Sequence, residues 1–214
     1  MTGSRAARVA LALACAACGR SRAEATAADA AVAAPDAGDG LPSSWEHIPD
    51  IEYVPTPQVV VDKMLEVLEL HDGDVLYDLG CGDGRIVVTA AQRYGVKAFG
   101  WDIDPRRVRE ARANVKKAGV EGLATIEIGD VFKLDLSPAT AVTLYLLPQL
   151  NVRLIPQLQR LRRGARIVSH DFDMEGLVPP DRKWILMAPH FHFPHKEREH
   201  FVFFWTAPLA VRDL

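Results

Sequence analysis

Cysteine is scarce in this sequence, which has three cysteines among 214 residues, and only Cys81 lies beyond residue 18. A single thiol in the main part of the chain has no partner for an intramolecular disulfide, so a disulfide-built scaffold is excluded. The histidines between residues 190 and 200 come without cysteines. Because the His-Phe alternation at residues 190–193 equally fits a half-exposed strand, we predict no metal site.

The sequence also lacks a large excess of either charge, with a formal net charge of −3 at pH 7. A domain that tracks nucleic acid usually carries a basic excess, so we expect no nucleic-acid partner. Long apolar runs are missing too, and the apolar stretch near the N-terminus is too short to span a bilayer. With 49% apolar residues, the chain can bury one ordinary single-domain core.

The N-terminus differs in composition from the rest. Residues 1–18 combine a short basic start, a small-residue apolar stretch and Cys18, which predicts a secretory signal. The ending resembles a bacterial lipoprotein processing site, although Cys15 stands where leucine is usual. Residues 19–45 are predicted to be a flexible Ala-rich linker and residues 46–214 the functional domain. The protein would then be periplasmic or anchored to the membrane through Cys18; a misread start would make it cytoplasmic.

A glycine-rich segment is the most informative feature of the domain. Residues 78–85 read Asp-Leu-Gly-Cys-Gly-Asp-Gly-Arg, after an apolar run and before a helical pattern. This predicts a strand, a tight turn and a helix, the arrangement with which an open α/β sheet binds a nucleotide-like ligand. The spacing is Gly-x-Gly-x-Gly after an acid, whereas dinucleotide sites use Gly-x-Gly-x-x-Gly. We therefore expect a ligand other than NAD.

Two further acids follow at the ends of predicted strands. Asp102 ends an apolar run about 20 residues after the glycines, the usual distance of a carboxylate that binds ribose hydroxyls. Asp130 ends the next run. Three carboxylates at three successive strand ends suit a ligand with a ribose, an amino group and positive charge, and they would repel a pyrophosphate. S-adenosylmethionine is such a ligand.

In order and spacing, these residues resemble the class I S-adenosylmethionine-dependent methyltransferases. The resemblance spans roughly residue 50 to the C-terminus. It implies a Rossmann-like methyltransferase fold, α/β, with a single doubly wound, mostly parallel seven-strand sheet, helices on both faces and an antiparallel last strand. It also implies which residues bind S-adenosylmethionine. Asp78 and the backbone of Gly80, Gly82 and Gly84 would hold its methionine end, Asp102 its ribose and Asp130 its adenine.

The pattern at residues 83–87 and the upstream segment Tyr53–Pro57 resemble the small protein-lysine methyltransferases related to those acting on mitochondrial membrane proteins, and their bacterial relatives. This resemblance adds Tyr53 and Thr56 to the cofactor site and implies a protein lysine as methyl acceptor. In that interpretation Tyr145, Pro148 and Asn151 shape a narrow channel for the lysine side chain. The alternative makes Tyr145 a core residue and Asn151 a helix N-cap.

Other functions stay open from the sequence. The Asn-Pro-Pro element of enzymes that methylate adenine in DNA or glutamine is missing after the fourth strand. A small-molecule methyltransferase, or an exported binding module without catalysis, remains possible. Ser169-His170-Asp171 does not predict a hydrolase, because three adjacent residues cannot fold back into a relay. We retain His170 and Asp171 as possible substrate-side residues.

Overall fold

The computed structural model describes residues 53–212. The predicted signal at residues 1–18, the linker at residues 19–45 and the lipid anchor at Cys18 lie outside this range, so they stay predictions. Within the described range, no helix is both long and apolar enough to cross a membrane.

Strands and helices alternate along most of the described chain. The seven strands are β1 (Val75–Leu79), β2 (Lys97–Asp102), β3 (Ala124–Ile128), β4 (Ala141–Leu144), β5 (Arg166–His170), β6 (Arg182–His190) and β7 (Phe193–Thr206). The helices are α1 (Gln58–Val67), α2 (Arg85–Tyr94), α3 (Pro105–Ala118) and α4 (Pro148–Leu158), with a 3-10 turn, η1, at Val131–Lys133.

All seven strands form one sheet in the order β3-β2-β1-β4-β5-β7-β6. The first five strands pair in parallel, and β7 lies antiparallel between β5 and β6. The predicted α/β fold, with a mostly parallel sheet and an antiparallel last strand, is confirmed. Chain order reverses between β1 and β4, and open α/β sheets bind ligands beside such a switch point.

Helices cover both faces of the sheet, as predicted. One core cluster contains the buried sides of α1, α2 and α3, and the other contains that of α4. In α1 the buried residues recur at the spacing of one helical face, Val60, Val61, Met64 and Leu65, and the helix lies against β5 and β7. The helices thus shield a parallel sheet whose strands are apolar on both sides.

Two helices do not begin where the local capping signals at Thr56-Pro57 and Asn151 indicate. Helix α4 begins at Pro148, because a proline with fixed φ fits the first helical position, so Asn151 is its fourth residue and not its N-cap. In α1, Pro57 occupies the N-cap position and no side chain caps the helix. The Thr56 hydroxyl lies instead 3.2 Å from Nδ1 of His170. In both cases the side chain that local rules assign to a helix cap, Thr56 or Asn151, forms a tertiary hydrogen bond instead.

The C-terminal strands are longer than predicted. The sequence indicated strands at Trp184–Ala188 and Phe201–Thr206, whereas β6 and β7 form a hairpin that turns at residues 191–192. Cross-strand pairing continues to His190 and Phe193, with a register shift after Pro189. The turn of this hairpin places Phe191 on the wall of a cavity at the carboxyl ends of the parallel strands.

We predict that Gly84→Ala destabilises the protein more than Gly95→Ala. Both glycines have positive φ, +76° and +66°, so each alanine carries backbone strain. A Cβ at Gly84 would also lie 2.9 Å from Cβ of Ala111 on α3, whereas one at Gly95 would meet nothing within 4 Å. We expect costs of roughly 2–4 and roughly 1–2 kcal/mol, respectively, in urea unfolding. Equal costs would show that contact between α2 and α3 is not what requires glycine.

Candidate active site

A cavity with a volume of about 1050 Å³ lies at the carboxyl ends of β1 to β4. Its walls come from the segment before α1, the glycine turn, the ends of β2 to β4, and the start of α4. Asp78, Asp102 and Asp130 all lie on it, as do Gly80, Tyr53, Thr56 and Tyr145. The fold has therefore brought most of the predicted site together.

The glycine turn is held by backbone hydrogen bonds. The N–H groups of Gly80 and Cys81 both donate to the Trp101 carbonyl at 2.9 Å. Gly82 and Gly84, which were predicted to hold the cofactor through their backbone, are not among the residues that line the cavity. A Cβ at Gly82 would lie 2.2 Å from the Tyr53 ring, so this glycine lets Tyr53 pack directly on the turn.

Asp78, in β1, is buried with one carboxylate oxygen left unpartnered. Its Oδ1 accepts a hydrogen bond from the Thr143 hydroxyl at 2.7 Å, and its Oδ2 has no partner. Burial raises the pKa of Asp78 to about 7, and the charges of Asp102 and Asp83 act in the same direction. An unpartnered buried acceptor beside a cavity is costly unless a ligand donor reaches it. A cationic amine fits this position.

Asp102, which was predicted to bind the ribose, connects the cavity to the glycine turn. Its Oδ2 accepts from the Gly82 N–H at 2.8 Å, and its Oδ1 accepts from the Asp104 N–H at 2.9 Å. Burial raises the pKa of Asp102, although these two bonds act against that rise. Each oxygen keeps a second lone pair, so the carboxylate can still accept from two hydroxyl groups.

Asp130 caps the turn η1. Its side chain accepts from the Phe132 N–H at 3.0 Å, and Lys133 Nζ lies 3.4 Å away. Because Asp130 also lines the cavity, the cap and the predicted contact with the adenine amino group are compatible. Phe132 and Val131 supply an apolar wall beside it that the sequence analysis missed.

Arg85 and Asp83 join the segment before α1 to the glycine turn. Arg85 donates through Nε and Nη2 to the Asp83 carboxylate at 2.9 and 2.6 Å, and through Nη1 to the Thr56 carbonyl at 2.8 Å. Hydrogen bonding to Arg85 keeps the pKa of Asp83 below its usual range despite burial. The guanidinium of Arg107 lies 4.4 Å from the centre of the Tyr53 ring. We call residues 53–56 the strap, because these contacts hold it across one side of the cavity.

The side of the cavity around Tyr145, where the methyl acceptor was predicted to bind, is mainly aromatic and apolar. Tyr145 lines the cavity and stacks on Phe172, with ring centroids 6.0 Å apart and an interplanar angle of 19°. No sequence motif pointed to Phe172 or to Phe191, which reaches the site from the hairpin turn. The remaining walls on this side are Leu146, Leu147 and Leu150.

The structure does not place Pro148 or Asn151 on the cavity. Pro148 begins α4, and Asn151 is fully buried. The Asn151 amide nitrogen lies within 3.3 Å of the Ser169 hydroxyl and within 3.2 Å of the Phe172 and Asp173 carbonyls. Asn151 therefore holds the loop after β5 and with it the backbone of Phe172, which lines the cavity where Asn151 does not.

The chain is similar in sequence to known methyltransferases. A family model described as the ANTKMT methyltransferase domain matches residues 78–181. A protein-lysine N-methyltransferase of Saccharolobus islandicus (strain REY15A) is 47% identical over 137 residues, which make up 63% of this chain and 85% of that protein. The adenine nucleotide translocase lysine N-methyltransferase of Mus musculus is 32% identical over 142 residues, 63% of this chain and 62% of that protein.

Among solved structures, an RNA methyltransferase from Salinibacter ruber in complex with S-adenosyl-L-homocysteine is similar over 75% of this chain and 97% of its own. Its TM-score is 0.65 and its sequence is 45% identical. The chain belongs to the family of class I S-adenosylmethionine-dependent methyltransferases, and S-adenosylmethionine is its cofactor. The residues present fit that group, because the unpartnered Oδ2 of Asp78 suits its amine and Asp102 suits its ribose.

We predict that cofactor affinity is linked to proton release from Asp78. The carboxyl has a pKa of about 7 in the free protein, and a cationic amine binds its ionised form. Affinity for S-adenosylmethionine should therefore fall by up to about tenfold for each pH unit below 7 and level off as pH rises above it. Calorimetry between pH 5.5 and 7 measures this dependence.

Asp78→Asn is the matched control, since it keeps the shape and removes the titration. It should bind more weakly at pH 7 and lose the slope below it. The same slope in Asp78→Asn and in the wild-type protein would assign the pH dependence to another group.

Proposed function

We propose that the protein transfers a methyl group from S-adenosylmethionine to the side-chain amine of a protein lysine. The observation that carries this proposal is the pairing of an acid-rich cavity with an aromatic acceptor wall. Five aspartates and three arginines line the cavity: Asp78, Asp83, Asp102, Asp104, Asp130, Arg85, Arg106 and Arg107. The excess of acids favours a cationic acceptor that approaches a cationic cofactor.

The wall at Tyr145 and Phe172 suits an amine that must lose its proton. S-adenosylmethionine, when bound, supplies a methyl group on a positive sulfur, which an amine lone pair displaces in line. Only a neutral lysine has that lone pair, and removal of water by apolar walls lowers the pKa of the amine. Holding the acceptor in line then provides much of the rate.

The Tyr145 hydroxyl can help to orient the amine. Burial raises the pKa of Tyr145 to about 12, so the phenol stays neutral at ordinary pH. Its oxygen lies 3.5 Å from Oδ2 of Asp171, at the limit of a hydrogen bond. If the hydroxyl proton is directed to Asp171, the oxygen lone pairs remain available to accept from an amine N–H.

A second candidate acceptor is RNA, which the name of the Salinibacter ruber structure favours. All three arginines on the cavity are paired with acids: Arg106 with Asp104, Arg107 with Glu110 and Arg85 with Asp83. A cavity whose arginines are neutralised in this way offers little attraction to a phosphate backbone, so we place RNA second.

We predict that a tritiated methyl group from S-adenosylmethionine enters protein in a cell lysate. Protease should release the label and nuclease should not, because an acid-rich cavity selects an amine. Label that survives protease and disappears with nuclease would assign the enzyme to RNA. Label in the small-molecule fraction would indicate a metabolite methyltransferase.

The same assay with purified variants tests the aromatic wall. Tyr145→Ala should lower kcat by roughly 10–100-fold, since it leaves the acceptor poorly oriented. Tyr145→Phe keeps the ring and should lose less. Cofactor affinity should change little in either variant, and a large loss of affinity would place Tyr145 on the cofactor instead.

A further inference from the structure

His170 lies in the protein interior and contacts two residues that line the active-site cavity, Thr56 and Tyr145. Its side chain is fully buried at the end of β5 and is not among the residues that line the cavity. Nδ1 lies 3.2 Å from the Thr56 hydroxyl of the strap, and the ring centroid lies 4.0 Å from that of Tyr145. Thr56 and Tyr145 both line the cavity. His170 is therefore the side chain that joins the strap to the acceptor wall.

His200 of β7 holds His170 in place. Its Nδ1 lies 2.8 Å from Nε2 of His170, and the two rings are 5.0 Å apart at 24°. One proton must lie between these nitrogens. Oδ2 of Asp171, 3.3 Å from Nε2 of His170, favours that proton on His170. This tautomer, assigned from the contacts, makes Nδ1 of His170 the acceptor of the Thr56 hydroxyl.

The same groups could be considered as metal ligands, because ligand atoms of His170, Asp171 and His200 lie within 4.8 Å of one another. The carboxylate, however, already has partners. Oδ2 of Asp171 accepts from Nη2 of Arg198 at 2.5 Å, and Oδ1 accepts from the Phe201 N–H at 3.0 Å. A cation would stand beside a guanidinium and would break the bond between the imidazoles. The contacts favour a hydrogen-bonded pair.

We propose that His170, held by His200, is a positioning residue for methyl transfer, which fixes the Tyr145 ring relative to the strap and so orients the acceptor. The inference rests on methyl transfer at this site and not on the identity of the acceptor. Burial lowers the pKa of His170 to about 3 and also lowers the pKa of His200. The positive charge of Arg198 acts in the same direction, whereas the negative charge of Asp171 acts to raise both pKa values. The pair therefore stays neutral over the working pH range.

Two substitutions of His200, which does not line the cavity, test this inference. His200→Leu removes the acceptor for the His170 N–H, whereas the side-chain oxygen of His200→Asn can replace Nδ1. In His200→Leu we expect kcat to fall by about 10–100-fold, with the acceptor KM and the affinity for S-adenosylmethionine within about twofold of wild type. His200→Asn should recover most of the lost kcat.

A double-mutant cycle shows whether the effect passes through Tyr145. In the Tyr145→Ala background, His200→Leu should cost less than about twofold, because no ring remains to be positioned. Full additivity of the two losses would overturn the inference. So would an unchanged kcat in His200→Leu, or a loss that the asparagine does not recover.

Imidazole ¹⁵N NMR tests the pair without turnover, so its result is independent of the proposed acceptor. We expect both rings to stay neutral from pH 8 to pH 5, with Nδ1 of His170 and Nδ1 of His200 unprotonated. Titration of either ring between pH 6 and 7 would contradict the inference, as would a shift of both rings on adding micromolar Zn²⁺.

Discussion

The carboxylate of Asp102 is the constraint on which the cofactor side of the site depends. It ends β2 and accepts the Gly82 N–H, while the Trp101 carbonyl accepts the N–H groups of Gly80 and Cys81. These bonds fix the glycine turn of β1 to the end of the neighbouring strand. The turn in turn provides the surface on which Tyr53 packs. The end of β2, through the Asp102 carboxylate and the Trp101 carbonyl, therefore fixes the turn against which the strap packs.

The acceptor side depends on buried polar contacts between elements far apart in the chain. Asn151 of α4 holds the loop after β5, and His170 connects the strap to the ring of Tyr145. Neither side chain could serve its purpose alone, because its partners lie on other elements that only the complete sheet brings together. The aromatic wall is consequently a product of the whole fold, whereas the glycine turn is largely local.

This difference explains what the sequence could predict. The strands β1 to β3 and the acids at successive strand ends follow from patterns that span a few residues. Local rules also suit Thr56 and Asn151 as helix caps, but both side chains form tertiary hydrogen bonds instead. Phe172, Phe191 and His200 carried no usable signal, since their roles arise where β5, β7 and the hairpin turn meet.

The central claim is that the acid and glycine edge selects S-adenosylmethionine over a dinucleotide. Calorimetry on the full chain with S-adenosylmethionine and NAD side by side tests it most directly, with Asp102→Ala as the variant. The account predicts binding of S-adenosylmethionine alone, weakened by about 1–3 kcal/mol in the variant, which leaves the ribose hydroxyls and the Gly82 N–H without their acceptor. Binding of NAD with no response to S-adenosylmethionine, or an affinity that Asp102→Ala leaves unchanged, would contradict it.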